Sequence, residues 1–320
     1  MDILITGAAG MIGRKLTSAL SASGQLRGEP IGTVHLVDVV EPASVPDGWT
    51  TEVADLSEPG VVDALAARHA DVVFHLAGVV SGEAEADFDK GMRVNLDGTR
   101  LLFEALRHAP GQPRVVFTSS IAVFGAPFPD PIPDDFHLTP LTSYGTEKMI
   151  GEALLADFSR REFFDGVGIR LPTISVRPGA PNAAASGFFS GIIREPLNGQ
   201  RAVLPVSRDV RHSHASPRTA VRYLLHAAEL DSSLLGARRN LTMPGVSVTV
   251  GEQLEALERV AGAEAVALVD EAADATIAGI VAGWPTRFAT PRAESLGFTA
   301  DDSYDDIIRA YVEDDLDASS

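Results

Sequence analysis

The chain has 320 residues, of which 45% are hydrophobic and 22% charged, with 29 glycines and 20 prolines, and this composition excludes a disordered, collagen-like or repeat-biased chain. The formal net charge of −18 argues against nucleic acid or an anionic membrane as a partner. The absence of cysteine excludes disulfides and thiolate chemistry, and neither a membrane span nor a signal peptide is recognisable. We therefore expect a cytoplasmic protein with a small-molecule ligand.

Short β-rich runs alternate with helical stretches along the first half of the chain. Strands are predicted at residues 3–6, 33–40, 51–53, 71–76, 114–118 and 167–171. Helices are predicted at residues 11–20, 59–68, 88–108 and 143–161. Because this alternation is typical of βαβ units, the sequence predicts an α/β protein with a Rossmann-type, doubly wound parallel sheet over residues 1–171.

The pattern becomes irregular after residue 171. Helices are predicted at residues 188–197, 217–230 and 251–261 and a strand at 239–243, whereas 207–217 show no clear period. We predict that residues 172–206 and 236–320 form a smaller C-terminal substrate lobe over the carboxyl edge of the sheet. Residues 207–235 are predicted to return to the first domain.

A glycine cluster, GAAGMIG at residues 7–13, joins the first strand to the first helix. Glycines here permit a tight turn and let the backbone approach a pyrophosphate, which the N–H groups of the helix N-terminus stabilise. Asp38, at the end of the second strand, can accept hydrogen bonds from an adenosine ribose and repel a 2′-phosphate. The pattern favours NAD over NADP, although each feature alone could be a plain turn. Asp55 and Leu56, after the third strand, stand where an adenine could be held.

Tyr144 and Lys148 are four residues apart on a predicted helix, so that they share one face. An ammonium beside a phenol favours the phenolate and lowers the pKa of the phenol, which suits Tyr144 to general acid–base work. This spacing also occurs by chance on solvated helices. Ser120, at the carboxyl end of the fifth strand, strengthens the interpretation because parallel sheets bind ligands at that edge.

Together these residues resemble the extended short-chain dehydrogenase/reductase family. The resemblance covers residues 1–171 and rests on motifs in chain order: residues 7–13, Asp38, Asp55-Leu56, His75-Leu76-Ala77-Gly78, residues 95–99 (NLDGT), residues 119–125 (SSIAVFG), and Tyr144 with Lys148. It implies that Ser120, Tyr144 and Lys148 are the catalytic triad. It further implies that the following residues bind NAD: Gly7, Gly10, Met11, Ile12, Gly13, Asp38, Asp55, Leu56, Ala77, Gly78, Asn95, Tyr144, Lys148, Leu171 and Pro172.

Departures from the family patterns narrow the reaction. Thr118-Ser119-Ser120 stands where sugar-nucleotide dehydratases typically have Thr-Asp-Glu, which disfavours dehydration, and Thr173 replaces an Asn that would meet a nucleotide phosphate. Residues 170–179, 182–187 and 211–218 resemble the D-erythronate dehydrogenase subgroup and, more distantly, uronate dehydrogenases. The subgroup resemblance implies oxidation of the 2-hydroxyl of a four-carbon aldonate with NAD. A nucleotide-sugar epimerase with tightly held NAD and a non-catalytic dinucleotide sensor remain alternatives.

Such a reaction needs a base, a hydride acceptor and a cation for the substrate carboxylate. Tyr144 would take the hydroxyl proton, Ser120 would hold the same oxygen, and Lys148 would bond the nicotinamide ribose. Arg177 and Arg211 are the candidate cations, although both could be surface arginines paired with acids. Ser81 and Thr173 are candidates for the remaining hydroxyls.

Two further expectations concern metals and assembly. His212 and His214 have no nearby third ligand in the sequence, so we predict no metal. Family likeness implies a homodimer packed through the helices at residues 88–108 and 143–161. A buried helix within a single chain would show the same apolar positions.

Overall fold

A computed structural model describes residues 1–179 and 186–316 of the chain. These residues group into two compact units. The first unit comprises residues 1–123, 140–170 and 221–242, and the second comprises the described residues of 124–139, 171–220 and the chain from 243 onward. Among the described residues, none of the helices is both long and apolar enough to span a membrane.

The first unit is built on a seven-stranded parallel sheet. Numbered along the chain, its strands are β1 (Ile3–Thr6), β2 (Val34–Asp38), β3 (Thr50–Val53), β4 (Val72–His75), β5 (Arg114–Ser120), β6 (Asp165–Leu171) and β7 (Asn240–Thr242). The spatial order is β7-β6-β5-β4-β1-β2-β3, in which β1 pairs with both β2 and β4. Because every residue of β1 and β4 is buried, helices must cover both faces, as continuous apolar strands predict.

The helices of the first unit cover this sheet. They are Met11–Ser23, Val61–Ala66, Ser81–Ala86, Phe88–Gly91, Thr99–His108 and Ser143–Arg160, with a π-helical segment at Met92–Gly98 and 3-10 turns at Ile121–Val123 and Ser232–Leu235. The helix Pro217–Glu229 enters this unit from Val221 onward. One hydrophobic cluster packs Leu4 and Val73 of the sheet against Leu102, Phe103 and Leu155 of the helices. Burial of these side chains contributes roughly 1.5–3 kcal/mol each to the stability of the unit.

The second unit has its own sheet and core. Its three-stranded sheet places Arg211–Ala215 between Val246–Thr249, which is antiparallel to it, and Thr173–Ile174, which is parallel. Ala202–Leu204 and Val269–Glu271 form a separate parallel pair. The helices are Gly187–Leu197, Val250–Ala261, Ala263–Val266, Ala275–Val281, Pro291–Ser295 and Tyr304–Tyr311, followed by a π-helical segment at Val312–Leu316. Phe189, Leu254, Ile307 and Tyr311 are central members of its core.

The Rossmann-type fold class predicted from the sequence is confirmed, whereas the unit boundaries differ in two places and one strand was not recognised. Residues 124–139 belong to the second unit, although they interrupt the first in sequence. The segment that returns to the first unit is 221–242 rather than 207–235, since Asn240–Thr242 pairs with β6 as the edge strand. Arg211–Ala215, where no period was recognised, is the central strand of the three-stranded sheet.

Candidate active site

The turn between β1 and the first helix is closed so tightly that only glycine fits at two of its positions. Gly7 has a φ of +75°, and a Cβ on it would lie 2.6 Å from the backbone nitrogen of Ala77. A Cβ on Gly13 would lie 2.7 Å from the Cα of Ala8. The backbone of this turn is therefore packed directly against the segment that follows β4, as a dinucleotide cradle requires.

The N-terminus of the first helix is open to an anion. Gly10 is its N-cap with extended backbone, and in the described part of the chain no side chain caps it and no acidic residue lies in its first turn. The first-turn N–H groups, which include those of Met11, Ile12 and Gly13, have no intrahelical carbonyl to bond. These groups fit a pyrophosphate, because N–H donors and the helix dipole both favour negative charge there.

Asp38 is fixed beside this cradle. Its Oδ2 accepts a hydrogen bond of 2.9 Å from the N–H of Ala9, and its Oδ1 accepts one of 2.7 Å from the N–H of Val39. Each carboxylate oxygen can accept a second bond, so that a ribose diol can still be held. The residues predicted to hold the pyrophosphate and ribose therefore lie together and fit NAD.

Asp55 forms an Asx turn, which is an ordinary role for an aspartate at this position. Its Oδ1 accepts bonds from the N–H and the hydroxyl of Ser57, at 2.9 and 2.7 Å. Burial raises the pKa of Asp55, but the Ser57 hydrogen bonds outweigh that effect and the net pKa is lowered. Leu56 is 8% exposed and packs in the core of the first unit. The adenine role of this pair stays a prediction.

Ser120 and Tyr144 are brought close by the start of the helix Ser143–Arg160. Ser120 ends β5, and its hydroxyl accepts a 3.1 Å bond from the N–H of Ala122. The helix begins at a Thr142 cap, and a Cβ on Gly145 would lie 3.0 Å from the carbonyl carbon of Ala122. Gly145 thus lets the turn that carries Tyr144 pack against the segment that follows Ser120. Gly145 was not among the predicted site residues, although it lies next to Tyr144 in the motif.

Lys148 is buried beside two aromatic rings. Its side chain is 3% exposed, and its Nζ lies 5.8 Å from the ring centroid of Tyr144 and 5.0 Å from that of Phe117. Burial lowers the pKa of Lys148 to about 8, whereas the neighbouring Glu147 raises it. The electron-rich ring faces favour the charged ammonium at these distances. The predicted pairing of Tyr144 with Lys148 on one helix face is present in the structure.

Asn95 connects this helix to the segment after β4. Its Oδ1 accepts a 2.9 Å bond from the N–H of Val79, and its Nδ2 donates to the carbonyl of Val79 at 3.2 Å and to Oε2 of Glu147 at 2.7 Å. A Cβ on Gly78 would lie 2.9 Å from Asn95 Oδ1 and 3.4 Å from Lys148 Nζ. Asn95 therefore acts on the site through Gly78 and Val79. Glu147 was not among the residues predicted from the sequence to form the site.

The predicted substrate residues Ser81, Thr173 and Arg177 are distributed over both units. Ser81 begins the helix Ser81–Ala86 of the first unit. In the second unit, Thr173 Oγ1 lies 2.7 Å from Nε2 of His212, and Arg177 Nε donates to the carbonyl of Ile174 at 3.0 Å. Their substrate roles stay predictions.

Arg211 is 38% exposed and is paired with an acid near the surface. It donates to the carbonyl of Ser247 at 2.8 Å and lies 3.2 Å from Glu252, which is 47% exposed. This pairing matches the alternative in which Arg211 is a surface arginine. Leu171 ends β6 and Pro172 follows it directly, and their cofactor roles also stay predictions.

His212 and His214 are core side chains. His212 stacks on Phe189 with 5.1 Å between ring centroids, and His214 lies 3.2 Å from the hydroxyl of Ser175 and 2.9 Å from the amide of Gln253. Within residues 1–179 and 186–316, no group of three or more histidine, aspartate or glutamate side chains could hold a metal ion. Residues 182–185 of the subgroup resemblance lie outside the described residues.

Comparison with known proteins gives a family match. Residues 3–234 match the family described as NAD dependent epimerase/dehydratase. The chain is 49% identical over 319 residues to D-erythronate dehydrogenase of Cupriavidus necator, covering 98% of both chains. It is 38% identical over 316 residues to the enzyme of the same name from Haemophilus influenzae, covering 99% of this chain and 100% of the relative.

A solved structure is also closely similar. The crystal structure of a nucleoside-diphosphate-sugar epimerase from Agrobacterium tumefaciens superposes with a TM-score of 0.96 at 58% identity. The match covers 99% of this chain and 95% of that chain. The similar proteins therefore include both D-erythronate dehydrogenases and a nucleoside-diphosphate-sugar epimerase.

Proposed function

Because the chain belongs to the NAD dependent epimerase/dehydratase family and is an NAD-dependent dehydrogenase of the short-chain type, we propose that it oxidises the 2-hydroxyl of a small aldonate. The proposed reaction converts D-erythronate to 2-dehydro-D-erythronate. The observation that carries the proposal is the similarity to two D-erythronate dehydrogenases, which are 49% and 38% identical to this chain over nearly its full length. The placement of Tyr144 and Lys148 on one helix face next to the segment after Ser120 supports it.

In the proposed mechanism, Tyr144 is the general base. Its phenolate oxygen takes the proton of the substrate hydroxyl, while the hydrogen on the same carbon leaves as a hydride and a carbonyl forms. Bound NAD supplies the acceptor for that hydride. Ser120 donates a hydrogen bond to the reacting oxygen, and the ammonium of Lys148 favours the phenolate form of Tyr144.

The substrate carboxylate needs a cation, and Arg177 and Arg211 are the proposed candidates. A bidentate arginine pair would orient the acid, with Ser81 and Thr173 bonding the remaining hydroxyls. Arg177→Met is expected to raise KM for D-erythronate about tenfold or more without changing NAD affinity, since only the acid contact is lost. Arg211→Met is the comparison, and the variant with the larger KM identifies the carboxylate ligand.

The function is tested by following NADH absorbance with D-erythronate, L-threonate, glucuronate and UDP-glucose in parallel. Net NADH with a four-carbon aldonate, lost by about 10²–10⁴-fold in Tyr144→Phe, is the expected result. Tyr311→Phe is the matched control, because the Tyr311 hydroxyl accepts a 3.0 Å hydrogen bond from the side chain of Asn198 in the core of the second unit. The absence of NADH formation with every acid would refute the proposal.

The second candidate function is a nucleotide-sugar epimerase, which the name of the Agrobacterium tumefaciens relative favours. Such an enzyme recycles NAD within each turnover, so it interconverts UDP-sugars without net NADH. Glucuronate oxidation with net NADH would instead favour a uronate dehydrogenase. The three outcomes of the same assay are therefore distinct.

We also propose that the protein is a cytoplasmic homodimer, packed through the helices Thr99–His108 and Ser143–Arg160. Light scattering on the purified chain is expected to give twice the 33.7 kDa chain mass. A mass of one chain would refute the dimer.

A further inference from the structure

Glu147 is a buried acid that the proposed mechanism does not use. Its side chain is 1% exposed, and it lies on the site helix directly before Lys148. Its Oε2 accepts the 2.7 Å bond from Asn95, while its Oε1 is buried without a hydrogen-bond partner in the described part of the chain. Burying a carboxyl that has one hydrogen-bond partner costs folding free energy, which indicates a specific role for that bond.

The bond to Glu147 determines how the Asn95 amide is oriented. An amide can be flipped so that its oxygen and nitrogen exchange places. With Nδ2 facing a carboxyl oxygen, Oδ1 is directed at the N–H of Val79, and the second Nδ2 hydrogen reaches the Val79 carbonyl. Asn95 thus holds both backbone polar groups of Val79 only in this orientation.

The held segment is part of the cofactor cradle. Ala77 lies against Gly7, and Gly78 lies against both Asn95 Oδ1 and Lys148 Nζ. Fixing Val79 therefore fixes the backbone that separates the glycine turn from Lys148. Gly91 packs against the other side of the Glu147 carboxyl, where a Cβ would lie 2.6 Å from Oε1.

We propose that Glu147 is a positioning residue of the hydride-transfer site, which acts as the hydrogen-bond acceptor that orients Asn95 and thereby holds the segment 77–79 in its NAD-binding geometry. This proposal rests on the proposed function, because the consequence for hydride transfer follows only if the protein is a dehydrogenase. The role requires an acceptor oxygen and not a negative charge. Burial raises the pKa of Glu147, as does Glu85, whereas the Asn95 bond and Lys148 lower it.

The test measures NAD affinity by titration of protein fluorescence, together with thermal unfolding. Glu147→Met is expected to raise the NAD dissociation constant about tenfold, and Asn95→Ala to do the same. The NAD dissociation constant of the double variant is expected to lie within about twofold of that of Asn95→Ala, because the two residues act through one bond. Additive losses would overturn the proposal.

The conservative variant separates positioning from charge. Glu147→Gln keeps an acceptor oxygen, so its NAD affinity at pH 6.5, where the Lys148 ammonium is present, is expected to match the parent. Because the Glu147 charge raises the pKa of Lys148, the alkaline loss of affinity is expected to begin at a lower pH in this variant. A loss of affinity at pH 6.5 equal to that of Glu147→Met would overturn the proposal. Should Glu147→Met fail to fold, Glu147→Asp, which withdraws the carboxyl by one methylene, is expected to weaken NAD binding. Unchanged affinity in that variant would overturn it.

A structural control lies on the same helix. Ser159→Ala removes a buried hydroxyl that bonds the Leu155 carbonyl and the Gly166 N–H, so it is expected to lower the unfolding temperature and leave NAD affinity unchanged. Since NAD titration needs no aldonate, failure of the proposed substrate would leave this comparison intact.

Discussion

The carboxylate of Asp38 accepts a 2.9 Å hydrogen bond from the backbone N–H of Ala9, across the turn that joins β1 to the first helix. The acid that would bind the adenosine ribose is thereby tied to the loop that would bind the pyrophosphate. A change at Asp38 should consequently affect both the affinity for the cofactor and the choice of cofactor.

Asp38→Ala is expected to weaken NAD binding and to reduce the discrimination between NAD and NADP. Loss of a charge-assisted bond to the ribose costs roughly 1.5–3 kcal/mol, or about 10–100-fold in affinity, and the repulsion of a 2′-phosphate disappears with the carboxylate. The measurement is kcat/KM with each cofactor. Glu41→Ala, on the same loop, is the control and should leave the ratio unchanged. An unaltered NAD to NADP ratio in Asp38→Ala would contradict the ribose role.

Gly10 and Gly13 are expected to differ in what their substitution damages. A Cβ on Gly13 meets the backbone at Ala8, so Gly13→Ala should destabilise the first unit by roughly 1–3 kcal/mol. A Cβ on Gly10 would lie 3.3 Å from the Gly7 carbonyl oxygen, which must shift by a few tenths of an ångström, and its φ of −66° suits alanine. Gly10→Ala should therefore lose less stability than Gly13→Ala and should lose NAD affinity, because the methyl group occupies the pyrophosphate approach.

Denaturant unfolding and NAD titration separate the two glycine variants. Gly279→Ala is the control, since a Cβ there meets nothing within 4 Å and the residue is helical. Normal NAD affinity in Gly10→Ala would show that the pyrophosphate does not approach this turn.

The first six strands and the Tyr144 helix were predictable because their physical signals are local. β1 is an uninterrupted apolar run that ends in glycines, and the four-residue spacing of Tyr144 and Lys148 defines a helix face regardless of its neighbours. The strand Arg211–Ala215 gave no such signal. Its residues are arginine, two histidines, serine and alanine, and four of them are buried. His212 is held there by a hydrogen bond to Thr173 and by stacking on Phe189, which hydrophobic patterning cannot reveal.

Long-range pairing explains what else was missed. The assignment of residues 124–139 to the second unit depends on contacts such as the bridge between Ile132 and Phe288. The environment of Glu147 depends on Asn95, which lies in a π-helical segment 52 residues earlier and donates a hydrogen bond to it. Neither relationship follows from the local sequence.

The buried Lys148 is expected to make NAD affinity fall at alkaline pH. Its pKa of about 8 lies below the usual value for lysine, so the ammonium is present below pH 8 and lost above it. If the ammonium holds the nicotinamide ribose, the NAD dissociation constant should be constant below about pH 7.5 and rise up to tenfold per pH unit above 8. Lys148→Met should bind weakly with no such dependence. The same alkaline rise in that variant would assign it to another group.

Three buried histidines are expected to make the protein acid-sensitive. Burial lowers the pKa of His75 to about 3 and that of His212 to about 4, and it lowers the pKa of His214 well below its usual value. Because the unfolded chain protonates each of them near pH 6.5, it binds more protons than the folded chain between pH 6.5 and about 4, and stability falls as pH falls through that window. Each histidine should contribute about 2 kcal/mol of loss between pH 7 and 5. Denaturant midpoints at the two pH values measure this loss of stability.

A variant at His212 tests the cause of the acid sensitivity. His212→Gln should reduce the loss of stability between pH 7 and 5 by about the contribution of one histidine. His69→Asn is the control, since His69 is exposed and asparagine tolerates its φ of 54°. Equal flattening in both variants would show that burial of His212 is not the cause.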